Sequence, residues 1–200
     1  MAQDDSFSRQ LTAEFVERWT RTNPGGTVLI RDLAFTRLRP IDAEWIVAAR
    51  RTPEPNRTPR QREVLTLSDE LIAELRAADE YVFGVAMHNF SIPSVLKLWL
   101  DQVTRPGETF SYAGGKAAGL LQNKKATFLV ATGGFYEPGT PNEAMNFVEP
   151  YLRTVFGLLG VTDTTFITAG GTARAHNGTE RGVILEPALQ SIEGYFPVTA

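Results

Sequence analysis

The run Tyr81-Val82-Phe83-Gly84-Val85-Ala86 limits this chain more than any other stretch. It is unbroken apolar and aromatic, β-branched in part, and too short for a buried helix. It therefore reads as a strand covered on both faces, the kind found in parallel sheets sandwiched by helices. Polarity returns at His88-Asn89, and a helix then follows with Ser91 as N-cap and Pro93 inside the first turn. Ile92, Leu96, Trp99, Leu100 and Val103 fall on one stripe at helical period. The turn between strand and helix lies at the carboxyl end of a buried strand, where open α/β sheets bind ligands.

The rest of the chain repeats that alternation. Phe7, Leu11, Phe15 and Trp19 predict an amphipathic helix that starts near Ser6 or Ser8 and ends before Asn23-Pro24-Gly25-Gly26. Thr27 to Ile30 reads as a short β-branched strand, and Asp42 to Arg50 as a short helix in a proline-punctuated surface segment. Thr58-Pro59-Arg60-Gln61 is a capping box with proline at the first helical position, opening a helix to about Ala78. Pro106-Gly107 ends the central helix, and the glycine-rich Thr109 to Asn123 reads as a long loop. Lys124-Lys125 is read as a solvated entry to a second buried strand, Ala126 to Ala131. After Pro141 comes a helix carrying Phe147 to Leu159, then a third buried strand, Thr164 to Ala169, and a last helix from Val183 to Tyr195. Strands and helices in alternation predict an α/β fold with a parallel sheet and helices on both faces, as one domain over residues 1–200.

Composition removes several kinds of chemistry. A net charge of -3 offers no basic face, so no nucleic-acid partner is expected. With no cysteine there is neither thiolate catalysis nor a Cys-based metal site, and the two histidines, His88 and His176, lack ligand-spaced companions. No Gly-x-Ser-x-Gly elbow, Gly-x-Gly-x-x-Gly fingerprint or P-loop occurs. The opening residues have no leader-like apolar region and no run is long enough for a membrane span, so the expected location is the cytoplasm, without a membrane partner.

Three helix or strand ends carry small and polar residues. Ser6-Phe7-Ser8 opens a helix, where free N–H groups and hydroxyls suit a phosphate. Met87-His88-Asn89-Phe90 offers a planar ring, an amide and further N–H groups. Ala131-Thr132-Gly133-Gly134 offers glycine backbone against which a flat ring can lie. Phosphate seat, polar edge and ring seat together suit flavin mononucleotide (FMN).

Met87-His88-Asn89-Phe90-Ser91-Ile92-Pro93-Ser94, with Leu96-Lys97, Asp101, Gly107, Thr109-Phe110 and Tyr112, resembles the FMN-dependent NADH-azoreductase and quinone reductase family. Thr58 to Gln61, Ser68 to Leu75, Gly133-Gly134, Pro150-Tyr151-Leu152 and Gly160 to Asp163 extend the resemblance over nearly the whole chain from Ser6. It implies a flavodoxin-like three-layer α/β/α fold with strand order 2-1-3-4-5, a homodimer and non-covalent FMN. The implied activity is ping-pong, two-electron hydride transfer from NADH or NADPH to a quinone or aromatic azo compound, with no catalytic side chain. Residue by residue, it places Ser6, Phe7 and Ser8 at the phosphate loop. Met87, His88, Asn89 and Phe90 match one ring-contacting segment, and Ala131, Thr132, Gly133 and Gly134 the other.

The chain departs from that pattern at four places. Ala86 stands where the family has proline, His88 where it often has tyrosine, and Ala131-Thr132 where it often has Ser-Arg. Nothing apolar precedes Ser6, so the family's first strand and loop, roughly ten residues, have no counterpart. Either the start lies late, which is the expectation, or the sheet closes by pairing the strands at 27–30 and 81–86. A rival reading follows, a non-enzymatic, dimeric flavodoxin-like binding module that has lost FMN.

Overall fold

The structure is a computed structural model that describes residues 5–113 and 115–196. Helix α1 (Phe7–Thr22) begins where the Ser6 hydroxyl accepts from the Arg9 N–H, and it buries Leu11 and Phe15 completely. A single turn, α2 (Ala43–Ile46), runs on as a π-helical turn over Val47–Arg51. The capping box opens α3 (Pro59–Ala77): the Thr58 hydroxyl accepts from the Gln61 N–H, and the Gln61 side chain accepts in return from the Thr58 N–H. Then follow β1 (Glu80–Ala86), α4 (Ser94–Val103), β2 (Phe110–Ala113), β3 (Lys116–Gly119), β4 (Lys125–Ala131), α5 (Val148–Leu159), β5 (Asp163–Ala169) and α6 (Arg181–Tyr195).

β1, β4 and β5 form one parallel sheet in the order β1-β4-β5, in register from Glu80↔Lys125↔Asp163 to Ala86↔Ala131↔Ala169. The period-two alternation of strands sorts their side chains between two layers of helices. Tyr81, Phe83, Val85, Phe128 and Val130 face α3, α4 and α5, whereas Leu129, Ile167 and Ala169 face α1 and α6. Phe83, Phe128 and Phe166 are register partners and stack across all three strands with centroids 5.3 and 4.7 Å apart. Phe156 of α5 meets the first two of those rings edge-on at 5.2 and 5.0 Å, a favoured aromatic geometry. The stripe predicted on the central helix, Ile92 to Val103, is buried throughout.

Four expectations need correction. Thr27 to Ile30 is not a strand: Val28, Leu29 and Ile30 are exposed and pair with nothing, because a strand exists only where a neighbour takes its hydrogen bonds. The sheet therefore does not close by pairing that segment with β1. The central helix begins at Ser94 with Pro93 as cap, since Ser91 is held in a turn by reciprocal backbone hydrogen bonds with His88 (2.9 and 3.0 Å). The glycine-rich stretch read as a loop contains the β2–β3 hairpin, docked where Gly119 meets the backbone of Gly160 and the Leu121 N–H donates to the Leu159 carbonyl at 2.9 Å. Lys124 is largely buried, its ammonium donating to the carbonyls of Arg76 (2.9 Å) and Ala78 (2.5 Å) and so capping the end of α3.

Candidate functional site

The carboxyl ends of the three strands come together through their loops. The Met87 N–H donates to the Ala131 carbonyl (2.9 Å), and the Thr132 N–H to that of Ala169 (3.0 Å). Gly171, Thr172 and Ala173 in turn donate to the carbonyls of Gly134, Thr132 and Gly133 at 2.9 to 3.1 Å. The Thr132 hydroxyl closes the Gly133 turn by donating to the Gly134 carbonyl at 2.8 Å. Ala131 to Gly134 is thus fixed from one side by hydrogen bonds to the β5 loop, while Gly133 stays exposed on the other.

Beyond Met87 the chain makes a two-residue turn. Asn89 (φ 48°) and Phe90 (φ 69°) are both left-handed, and the Ser91 N–H returns to the His88 carbonyl, the pattern of a primed hairpin turn. Such turns favour Asn and Gly, and a left-handed Phe costs on the order of 1–2 kcal/mol. The turn is held from outside: the Phe147 N–H, at the head of α5, donates to the Phe90 carbonyl at 3.0 Å, and the Tyr136 ring meets Phe90 edge-on at 6.1 Å. His88, Asn89 and Phe90 are all exposed.

The third segment lies at the same end of the sheet. α1 crosses β1 so closely that a Cβ on Gly84 would stand 3.2 Å from the Ser8 carbonyl oxygen and 2.4 Å from the Thr12 hydroxyl. A side chain at Gly84 would require Thr12 to turn away and the Ser8 carbonyl to give, so glycine lets the start of α1 pass close over β1, with Ser8 beside Gly84. The Ser6 and Ser8 hydroxyls lie 3.3 Å apart. Arg181, at the start of α6, covers this corner, with its guanidinium 3.9 Å from the Phe7 ring centroid and a hydrogen bond to the Asp5 carbonyl at 3.1 Å. Arg9 points the other way, and its hydrogen bond and charge hold the Asp32 carboxyl below the usual carboxylate range.

The donor set suits FMN. Among the described residues, the N–H groups of Phe7, Ser8, Asn89, Phe90, Gly133 and Gly134 donate to no protein atom, which leaves them available to phosphate and ring oxygens. A Cβ placed on Gly133 would meet only the Ala173 Cβ, at 3.9 Å, so the backbone there is uncrowded on that side. Sequence reading missed Phe135 and Phe147, both about half exposed, and Arg174, whose guanidinium lies 5.2 Å from the Phe135 ring and donates to the Gly171 carbonyl. Gly170-Gly171, a second glycine pair at a strand end, was the available signal for that loop.

Loops tied together at the carboxyl end of a parallel sheet, with N–H groups that have no protein acceptor among the described residues, define an α/β protein whose candidate site suits a nucleotide. A family model for the flavodoxin-like fold matches residues 1–192, and the chain belongs to that family. An FMN-dependent NADH:quinone oxidoreductase of Acidobacterium capsulatum is 55% identical over 190 residues, covering 94% of this chain and 92% of the relative. A second, FMN-dependent NADH:quinone oxidoreductase 3 of Burkholderia lata, is 44% identical over 96% of this chain and 93% of its own. Among solved structures, an azoreductase from Bacillus anthracis superposes with a TM-score of 0.87 at 23% identity, covering 98% of this chain and 93% of its own. An FMN-dependent NADH-azoreductase from the same species, solved in complex with FMN, gives 0.85 at 25% identity over 97% and 91%.

Proposed function

We infer that this chain is an FMN-dependent NAD(P)H oxidoreductase that reduces quinones and aromatic azo compounds. The observation that carries the reading is the 55% identity to a quinone oxidoreductase over nearly the full length of both chains, in a fold whose strand ends offer free N–H donors. FMN, when bound, supplies the two-electron chemistry, accepting hydride from NADH or NADPH and passing it to the acceptor.

The protein's part is to bind, orient and exclude water. We assign Met87, His88, Asn89 and Phe90 to one wall of the flavin site, and Ala131, Thr132, Gly133 and Gly134 to the surface the ring lies against. Ser6, Phe7 and Ser8 take the phosphate, at a helix start whose dipole favours an anion. The N–H groups of Asn89 and Gly133, without protein acceptors among the described residues, would be available to ring atoms of a bound flavin that gain negative charge on reduction, so no proton donor of the protein's own is required. Phe90, Phe135 and Phe147 are exposed on the loops at this end of the sheet and suit stacking against flat, uncharged acceptors. Those rings, with Tyr112 at 70% exposure on the hairpin, also supply an apolar surface for a second copy, and the working unit is read as a cytoplasmic homodimer.

One visible-spectrum experiment tests this reading. Protein mixed with FMN and gel-filtered should retain the yellow chromophore near stoichiometry, bleach with NADH under anaerobic conditions, and regain colour on adding a quinone. Colourless protein after gel filtration, with or without an added N-terminal strand, contradicts it and favours the binding-module reading.

A further inference from the structure

The loop between β4 and α5 roofs a cavity of about 270 Å³ that the flavin assignment leaves unused. Val130, Val148 and Phe166, from β4, α5 and β5, give it an apolar lining. Of the segments assigned to the flavin it shares Thr132 alone, whose hydroxyl is turned to the Gly134 carbonyl. The roof is held by its own hydrogen bonds. The Thr140 hydroxyl donates to the Glu137 carbonyl (2.7 Å), the Gly139 N–H to the Glu143 carboxylate (2.8 Å), and the Val148 N–H to the Asn146 side chain (3.1 Å).

The charged side chains lining the cavity are Glu137, Glu149 and Arg153. Two of them neutralise each other. The Arg153 guanidinium donates to Glu149 at 2.7 and 2.9 Å and to the Thr164 hydroxyl at 2.7 Å, and it lies 4.5 Å from the Phe166 ring centroid. Glu137 is left over. Its Oε2 is buried and has no hydrogen-bond partner among the described residues. Its Oε1 lies against Gly170, where a Cβ would stand 2.3 Å from it. Arg174, beside Phe135, donates to the Gly171 carbonyl (3.1 Å) instead. A buried carboxylate oxygen without a donor is costly, so this wall calls for an N–H, and a charged one best. NADH carries net negative charge and a quinone carries only acceptors, so neither suits it.

We propose that this cavity is a binding site for a small aromatic cation. One ring lies against Val130, Val148 and Phe166, and its ammonium or amidinium group donates to Glu137. The volume sits just below the roughly 300 Å³ at which pockets for larger ligands begin, which fits a single ring. The occupant braces the roof from beneath. That roof also holds the turn at Asn89 and Phe90, through the Phe147 N–H and the Tyr136 ring.

Calorimetric titration with benzamidine, with FMN absent and in excess, tests the proposal. Benzamidine should bind one per chain with a Kd on the order of 1 mM or lower. The affinity should be the same with and without FMN, and the methyl NMR signals of Val130 and Val148 should shift. Benzamide, neutral and of the same shape, should bind about tenfold more weakly or worse, and so should benzamidine to Glu137→Gln. The comparison of the two ligands needs no variant, so it decides the matter even where Glu137→Gln does not fold. Four outcomes would overturn the proposal: no binding of benzamidine, equal affinity for benzamide, unchanged affinity in a folded Glu137→Gln, or loss of binding in excess FMN. The last would put benzamidine in the flavin site. No step reads flavin chemistry, so a chain that fails to hold FMN still gives an answer here.

Discussion

Asn89 and Phe90 hold a strained turn in the segment proposed as one wall of the flavin site. Both are left-handed, and their N–H groups are left free of protein acceptors among the described residues. Replacing Asn89 by glycine removes the conformational strain and the side-chain amide together, so stability and affinity should move in opposite directions. Asn89→Gly is expected to raise the unfolding free energy by about 0.5–1 kcal/mol in urea titrations, and to weaken FMN binding roughly tenfold, the value of one hydrogen bond. A variant that loses stability as well, or binds FMN unchanged, would show that the turn is merely structural. The sequence already pointed to these residues, since polarity returning abruptly after a six-residue apolar run is a local signal. The left-handed pair was not legible, because it depends on the contacts that Phe147 and Tyr136 make with Phe90.

At the scale of elements, legibility followed how self-contained each signal was. The apolar stretches Tyr81 to Ala86 and Phe128 to Ala131 mark β1 and β4, β5 is β-branched and threonine-rich with only Ile167 and Ala169 buried, and α3 carries its own capping box, so each is specified by adjacent residues. Thr27 to Ile30 has strand composition, but composition gives a strand no neighbour to pair with, and the segment stays extended and unpaired. The β2–β3 hairpin was hidden by glycines that suggest a loop. Its place is set by contact between Gly119 and Gly160, forty-one residues apart in sequence and touching backbone to backbone. A Cβ on Gly119 would stand 2.1 Å from the Gly160 nitrogen, so Gly119→Ala must displace backbone and should cost about 1–3 kcal/mol. Gly157→Ala, inside α5 with nothing within 4 Å of the new Cβ, should instead stabilise by about 0.5–1 kcal/mol. Chemical denaturation of the two variants side by side checks the contrast; equal effects would mean that the hairpin is not docked there.

Taken whole, the described residues form a three-stranded parallel sheet between two helical layers, with the candidate site at its carboxyl end and, among the described residues, no strand beside the outer edge of β1. Family membership and the 55% identical relative account for the fold and the redox class. The particular claim about this chain is that the bare backbone at Gly133 is the floor of the flavin ring. Gly133 allows a test, because a Cβ there meets only the Ala173 methyl at 3.9 Å; the melting temperature of Gly133→Val is read beside its affinity, so that loss of fold is told apart from loss of flavin. The deciding measurement is a titration with FMN, followed by quenching of flavin fluorescence, for Gly133→Val and the parent chain. The account predicts a loss of affinity of about 100-fold or more for a side chain standing in the ring's place, roughly 2.7 kcal/mol. Equal affinity in a variant of unchanged stability would contradict it and put the flavin elsewhere.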